Sequence, residues 1–319
     1  MKRKPIITLV VMLLCSMMSA QTVTFRFQEG TLSDASLREK MEERISCLLS
    51  EITQASKANR PLSLDSLSLS PRASKRLSNL WGNLHFSCDD KQIIEKCLQD
   101  INGYEVRSIF VTLQPTSSNY NGTTSRELVV CFDSLGLITG VNMTLEDNIY
   151  QEIMNISTNV TDARCCQEII KSIEEFRNYY EEKDLEALEV IYSDKLLSFG
   201  DCILEYAKRD TSKTSICKAE KKQYIKYLEK IFNKNEYISM SFDEVIVRRS
   251  AHKPGFFEVT LHQKWPSDYS SSNGYMFILW EFREGRSPVI HVRTWQPEIV
   301  NGHRLSPDEI YTMNEFFIP

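Results

Sequence analysis

The chain has 319 residues, of which 42% are hydrophobic and 25% charged, with 11 glycines and a formal net charge of −5. That is the composition of a globular protein long enough for two domains of ordinary size. The acidic balance gives no basic stripe for a phosphate backbone, so no nucleic-acid partner is expected.

Lys2, Arg3 and Lys4 precede an apolar run from Ile6 to Leu14, and Ser19-Ala20 places small residues before Gln21. This is the pattern of a secretory signal peptide, residues 1–20, cut after Ala20. The run is shorter than the ~20 residues that span a bilayer, so no stable membrane insertion is expected after cleavage. Cys15 follows Leu14 rather than a small residue, which fits a conventional cut better than lipidation. The expected location is periplasmic or extracellular.

Residues 21–150 read as a first α+β domain. Leu37, Met41, Ile45, Leu48 and Ile52 form one apolar stripe, which predicts a helix from Ser33 to Ala55, with Ser36 and Glu39 spaced as a capping box. Ser70-Pro71 opens a second helix that turns Leu77, Leu80 and Trp81 inward. Asp89 or Asp90 is expected to cap a third, carrying Ile93, Ile94, Cys97 and Leu98. Tyr104 to Leu113, Glu127 to Phe132 and Leu137 to Leu145 read as strands, the last two joined by an Asp133-Ser134-Leu135-Gly136 turn. A polar stretch, residues 151–161, is the expected linker.

Residues 162–319 repeat the order of helices, then strands. Cys166, Ile169, Ile173, Phe176 and Tyr180 line one side of a helix from Asp162 to Glu182, and Asp184 caps a short second helix. A third runs from Ala219 to Asn233 with Tyr224, Leu228, Ile231 and Phe232 inward. Strands follow at Ile238–Arg249, Phe256–Trp265, Tyr275–Arg283 and Val289–Gln296. The repeated order suggests that the first domain is a divergent copy of the second, on topology alone.

Cys15 apart, the cysteines include no Cys-x-x-Cys and no Cys/His spacing that suits a metal, so no metal site is expected. Cys202 and Cys217 flank a polar loop and are the candidate disulfide. No Gly-rich phosphate loop, G-x-S-x-G or H-E-x-x-H is present, and no cofactor is expected.

The segment EEFRNYYEEKDLEALEVIYSDKLLSFG resembles the opening of nuclear-transport-factor-2-like (NTF2-like, SnoaL-like) domains: a helix ending in an aromatic, a short helix begun by Lys-Asp-Leu, then Tyr-Ser-Asp. The blocks HQKW, GYMFILWEFR and HVRTWQPE are similar to those of exported Bacteroidota proteins. The resemblance covers Asp162 to Glu298. It implies a cone of three helices packed into a curled antiparallel sheet, a bacterial source and a homodimer paired through the outer sheet face. Some members of that superfamily are isomerases, dehydratases or cyclases with Asp, His or Tyr inside the cone.

Strand alternation sorts the last three strands by face. Burying the more apolar set puts Phe257, Val259, Leu261 and Gln263, then Met276, Ile278, Trp280 and Phe282, then Ile290, Val292, Thr294 and Gln296 against the helices. Glu258, His262, Glu281, Arg283, His291 and Arg293 then fall outside. The interior would hold no general base, so the expected function is non-catalytic binding of an unknown protein partner or a small apolar ligand, through the cone or the outer face. Trp265, Tyr275, Phe277, His291, Arg293 and Trp295 are the candidate surface. Two alternatives stay open. In a reversed register His291 and Glu281 would enter the cone as base and orienter of an isomerase, dehydratase or hydrolase. The other, ranked third, is a structural component of a cell-envelope assembly.

Overall fold

Short apolar segments with alternating burial and long amphipathic helices divide this chain into two packed units. The structure, a computed structural model, describes residues 22–100, 102–115, 120, 122–155, 160–199, 218–250, 253–267, 271–283 and 286–312. The expected leader and the Cys202–Cys217 pair lie outside the described residues.

The first unit begins with β1 (Thr24–Phe27) and α1 (Ala35–Ala58). Asp34 caps α1 by accepting from the Leu37 N–H at 3.0 Å, so the start lies two residues before the Ser36 that spacing suggested. Helix α2 (Pro71–Asn83) opens as read, with Ser70 Oγ accepting from the Ala73 N–H and Pro71 in the first turn, where no N–H is needed. Strands β2 (Leu84–Ser87), β3 (Gln92–Glu95) and β4 (Leu98–Asp100) follow. The helix expected after Asp89 is therefore replaced by two strands. The physical reason is pairing: β3 lies parallel to β1, with Ile93 buried and Ile94 56% exposed, a period of two that β-branched side chains favour.

Strands β5 (Gly103–Pro115), β6 (Ser125–Asp133) and β7 (Ile138–Met143) complete an antiparallel sheet of order β2-β5-β6-β7, with β4 on β5. In the β6–β7 turn, Asp133 Oδ1 accepts from the N–H groups of Leu135 and Leu137, and Gly136 takes φ +77° with α1 close against it. Met41, Ile45, Leu48 and Ile52 of α1 pack with Leu77, Val106, Val130 and Val141 in this unit's core.

Helix α3 (Asp147–Met154) stands where the sequence reading expects a break. Its Ile149 and Ile153 belong to the second core, which explains why a polar stretch is held helical. Helices α4 (Val160–Glu181), α5 (Leu185–Ile191) and α6 (Lys221–Lys234) follow, with strand β8 (Tyr192–Phe199) after α5 and β9 (Lys218–Glu220) before α6. Asp184 caps α5 on the Ala187 N–H, as its position predicts.

Strands β10 (Ser241–Arg249), β11 (Phe256–Pro266), β12 (Ser271–Glu281), β13 (Val289–Thr294) and β14 (Gln296–Pro297) build the second sheet. Its order is β10-β11-β12-β13-β8-β9, with β14 on β12 and one parallel pair, β13 with β8. Ile173, Phe176, Tyr180, Leu188 and Leu228 fill the sheet's concave side against Val259, Leu261, Met276, Ile278 and Trp280. Two short strands, β15 (Ile299–Val300) and β16 (His303–Arg304), form a terminal hairpin. The protein is thus α+β, with six α-helices and two main sheets among the described residues. No helix among them is long and apolar enough to cross a membrane.

Candidate functional site

Strand β13 does not alternate evenly. Leu279 pairs with Val292 and Trp280 with Ile290, so His291 is an extra residue in a bulge. Ile290 packs inside the cone, whereas Val292 joins Phe256, Phe277 and Leu279 in a separate cluster on the outer face. His291 also faces outward, its ring 5.3 Å from Phe256. Arg293, the residue after Val292, is thereby turned inward. It is 2% exposed, and its guanidinium lies 5.2 Å from the centre of the Tyr224 ring.

That corrects the expected outward position of Arg293. Simple alternation cannot foresee it, because one inserted residue reverses the face of everything beyond it. Beside Arg293 stand three buried phenols: Tyr180 Oη is 2.8 Å from Tyr192 Oη and 2.5 Å from Tyr224 Oη. Burial and the neighbouring Tyr180 push the Tyr192 phenol well above its ordinary range, against the pull of Arg293. Trp265 packs edge-on against Tyr180, with centroids 5.5 Å apart.

The outer face carries its own cover. Tyr311 packs on the cluster of Phe256, Phe277, Leu279 and Val292. Gln296, expected inside, instead donates to the Glu309 carbonyl and accepts from the Tyr311 N–H at 2.7 Å. Below it, His262 is 4% exposed and pairs through Nδ1 with Asp243, whose other oxygen takes Lys264 Nζ at 2.8 Å. Glu298 reaches His262 Nε2 at 3.7 Å and Arg304 at 3.0 Å. Burial pushes the Asp243 carboxyl up, but Lys264 and His262 outweigh it and hold the group below its usual range.

The residues expected to form one ligand or partner surface therefore separate. Tyr275, Phe277, Arg293 and Trp295 are buried, Trp265 and His291 half-buried. Trp295 lies over Gly274, where an added Cβ would meet its ring at 3.0 Å and the Gln296 carbonyl at 2.2 Å, so only glycine fits. His291 Nε2 meets Glu281 Oε2 at 2.8 Å, and Arg283 holds the same oxygen at 2.7 Å. The imidazole–carboxylate pair exists, but outside the cone.

A different constellation lies where the two units meet, and it was not singled out in the sequence. Arginines of the first unit pair with glutamates on the C-terminal half of α4 or just beyond it. Arg76 takes Glu182, from the residue just beyond the helix, at 3.1 and 3.2 Å. Arg107 takes Glu174, which also accepts from the Leu145 N–H. Arg126 reaches both oxygens of Glu181 at 2.7 Å, and one of these accepts from the Met240 N–H. All these side chains are at most 11% exposed. Charge pairs so buried hold because each has a partner of opposite sign.

Beside this seam runs a groove of about 440 Å³, lined by Ser125, Arg126 and Glu127 of β6, Thr144, Glu146, Arg177 of α4, and Ser241 and Phe242 of β10. Burial, then Asp147 and Glu146 nearby, push the Glu127 carboxyl above its usual range despite its bond to Ser108 and the charge of Arg107. A second hollow of about 340 Å³ has Arg72, Lys75 and Arg76 on its wall, each matched by a carboxylate of Glu175, Glu186 or Glu182. Among the described residues no group of three or more ligands could hold a metal.

No protein-family model and no curated protein sequence matches the chain. Among solved structures it is similar to Bd1075 of Bdellovibrio bacteriovorus, at 12% identity and a TM-score of 0.35, over 59% of this chain and 68% of that one. It is similar to an NTF2-like protein from Cytophaga hutchinsonii, at 14% identity and a TM-score of 0.32, over 44% of this chain and 99% of that one. ActVI-ORFA from Streptomyces coelicolor is 8% identical with a TM-score of 0.32, over 41% of this chain and 96% of that one. The chain's own topology defines the class: three helices held in a curled, mainly antiparallel sheet are the NTF2-like arrangement, and the second unit has it.

Proposed function

We propose that this is an exported, bacterial binding protein without catalysis of its own, of the type in the Bacteroidota proteins whose sequence blocks its own resemble. Its ligand is a small molecule seated in the groove between the two units. The observation that carries the reading is the groove itself: about 440 Å³, walled by both units and rich in hydroxyls from Ser125, Thr144 and Ser241. Small-molecule sites commonly have this size and position. Among the described residues no histidine, cysteine or lysine lines it. The rival reading, an enzyme working inside the cone, has Arg293, three phenols and the buried Gln263 among its polar groups, while the His291–Glu281 pair lies outside. A homodimer through the outer face is less favoured, since the chain's own Tyr311 and Gln296 contacts occupy that face.

The test is a thermal-shift screen of small molecules on the chain from Gln21 onward, beside Ser241→Trp, which fills the groove. Stabilising compounds are expected to lose their effect in the variant and to be recovered unchanged by mass spectrometry. A hit that is chemically converted, or one indifferent to Ser241→Trp, overturns the reading.

A further inference from the structure

We propose that the groove is an anion site in which Arg177 seats the carboxylate or phosphate group of a small ligand. This rests on reading the groove as the ligand's seat and names the chemistry it takes.

Arg177 is the seam arginine with no carboxylate in direct contact among the described residues, although Glu181, Glu174 and Glu146 act on it from farther off. Glu174, Glu181 and Glu182, on or just after the same helix, are each taken by an arginine of the first unit. Arg177, between them in sequence, is 4% exposed and forms no ion pair among the described residues. Its one hydrogen bond runs from Nη2 to the Thr144 carbonyl at 2.7 Å, and Nε, fully buried, has no partner. A guanidinium is a planar fork of donors that matches an oxyanion two bonds at a time. A buried cation lacking such a partner is costly, and an arriving anion removes that cost.

The surroundings agree with this. Burial, and then the charge of Arg126, pull the Arg177 guanidinium down to about 10 against the opposing charges of Glu181, Glu174 and Glu146, so at neutral pH it keeps its proton in a setting that on balance disfavours it. Hydroxyls of Ser125 and Ser241 supply further donors on the same lining, while that of Thr144 already donates to the Glu127 carbonyl. Glu127 and Glu146 share that lining, which favours an amine or hydroxyl at the ligand's other end over a second anion.

The experiment titrates the chain from Gln21 onward with inorganic phosphate, acetate and glycine at matched ionic strength, with sodium chloride as control. Saturable stabilisation by at least one probe beyond chloride is expected, and the phosphate and acetate arms separate the two oxyanions. Arg177→Gln should weaken binding by about tenfold or more, with Arg177→Lys between the two, the loss a charge-assisted hydrogen bond predicts. If Arg177→Gln fails to fold, the Arg177 Nε–H resonance of the wild-type chain is followed instead, and it should move with the titration. No effect beyond chloride, equal binding by Arg177→Gln, or a resonance that stays still overturns the anion site. Groove ligands that bind with Ser241→Trp sensitivity but ignore Arg177 would sink this inference while leaving the binding reading intact.

Discussion

Glu42 shows how one carboxylate can anchor a strand to a helix. It accepts from the Phe27 N–H at 2.8 Å, from Arg26 at 2.9 Å and from Arg38 at 3.1 Å, joining β1 to α1. Burial pushes its carboxyl up, but these donors together outweigh burial and hold it below the usual range. A depressed folded-state value adds stability above the unfolded value, and that contribution disappears as pH falls through the folded one. Glu42→Gln should therefore unfold at lower urea than the wild type at pH 7. The gap should close below about pH 4.5, where the wild type loses the same charge. A gap constant across that range would show that the anion contributes nothing. Buried thiols obey the same physics without a partner: burial pushes Cys97 up to about 11 and Cys131 up to about 12, which keeps both protonated and poorly reactive.

At the scale of elements, the bulge in β13 and the C-terminal segment decide what the sheet presents. The bulge turns Arg293 into the cone and Val292 out of it. The terminal segment then covers the outward cluster and is held by Gln296 and by Arg304 on Glu298. Truncation after Pro297 should expose Phe277, Leu279 and Val292, cost on the order of 2–4 kcal/mol, and make the chain self-associate. Light scattering coupled to size exclusion reads the association and chemical denaturation reads the loss. A monomer of unchanged stability would mean that the segment is not a cover.

Across the whole molecule, the two cores communicate through the arginine–glutamate seam. Arg126 and Glu181 are 55 positions apart in sequence and at most 8% exposed. Arg126→Met leaves Glu181 buried beside one backbone donor, and Glu181→Gln leaves Arg126 unneutralised. Each single change should cost about 3–5 kcal/mol, as breaking one side of a buried pair does. The double variant should cost clearly less than the sum, because it leaves no orphaned charge. Additive losses in denaturant melts would contradict a direct pair. The seam also explains why Arg177 is exceptional: every other buried arginine described along it has a glutamate opposite.

Much of the fold was legible because its signals are local. Stripes at helical spacing located α1, α2, α4 and α6, while Ser70 and Asp184 marked starts that their side chains do cap. The α+β class and the inward row of Val259, Leu261, Met276, Ile278 and Trp280 follow from periodicity alone. Local patterns failed where a distant partner outweighed them. Strand β1 drew Ile93 into a parallel pair, the second core kept α3 helical, and one inserted residue reversed the face of Arg293. The candidate site was legible least of all. Its arginines and glutamates lie 55 to 106 positions apart, and each alone reads as an ordinary surface charge. Only the docking of two sheets on one helix removes water from those charges, gives Arg76, Arg107 and Arg126 each a carboxylate in contact and leaves a groove beside Arg177, because burial and pairing depend on tertiary distance rather than on sequence spacing.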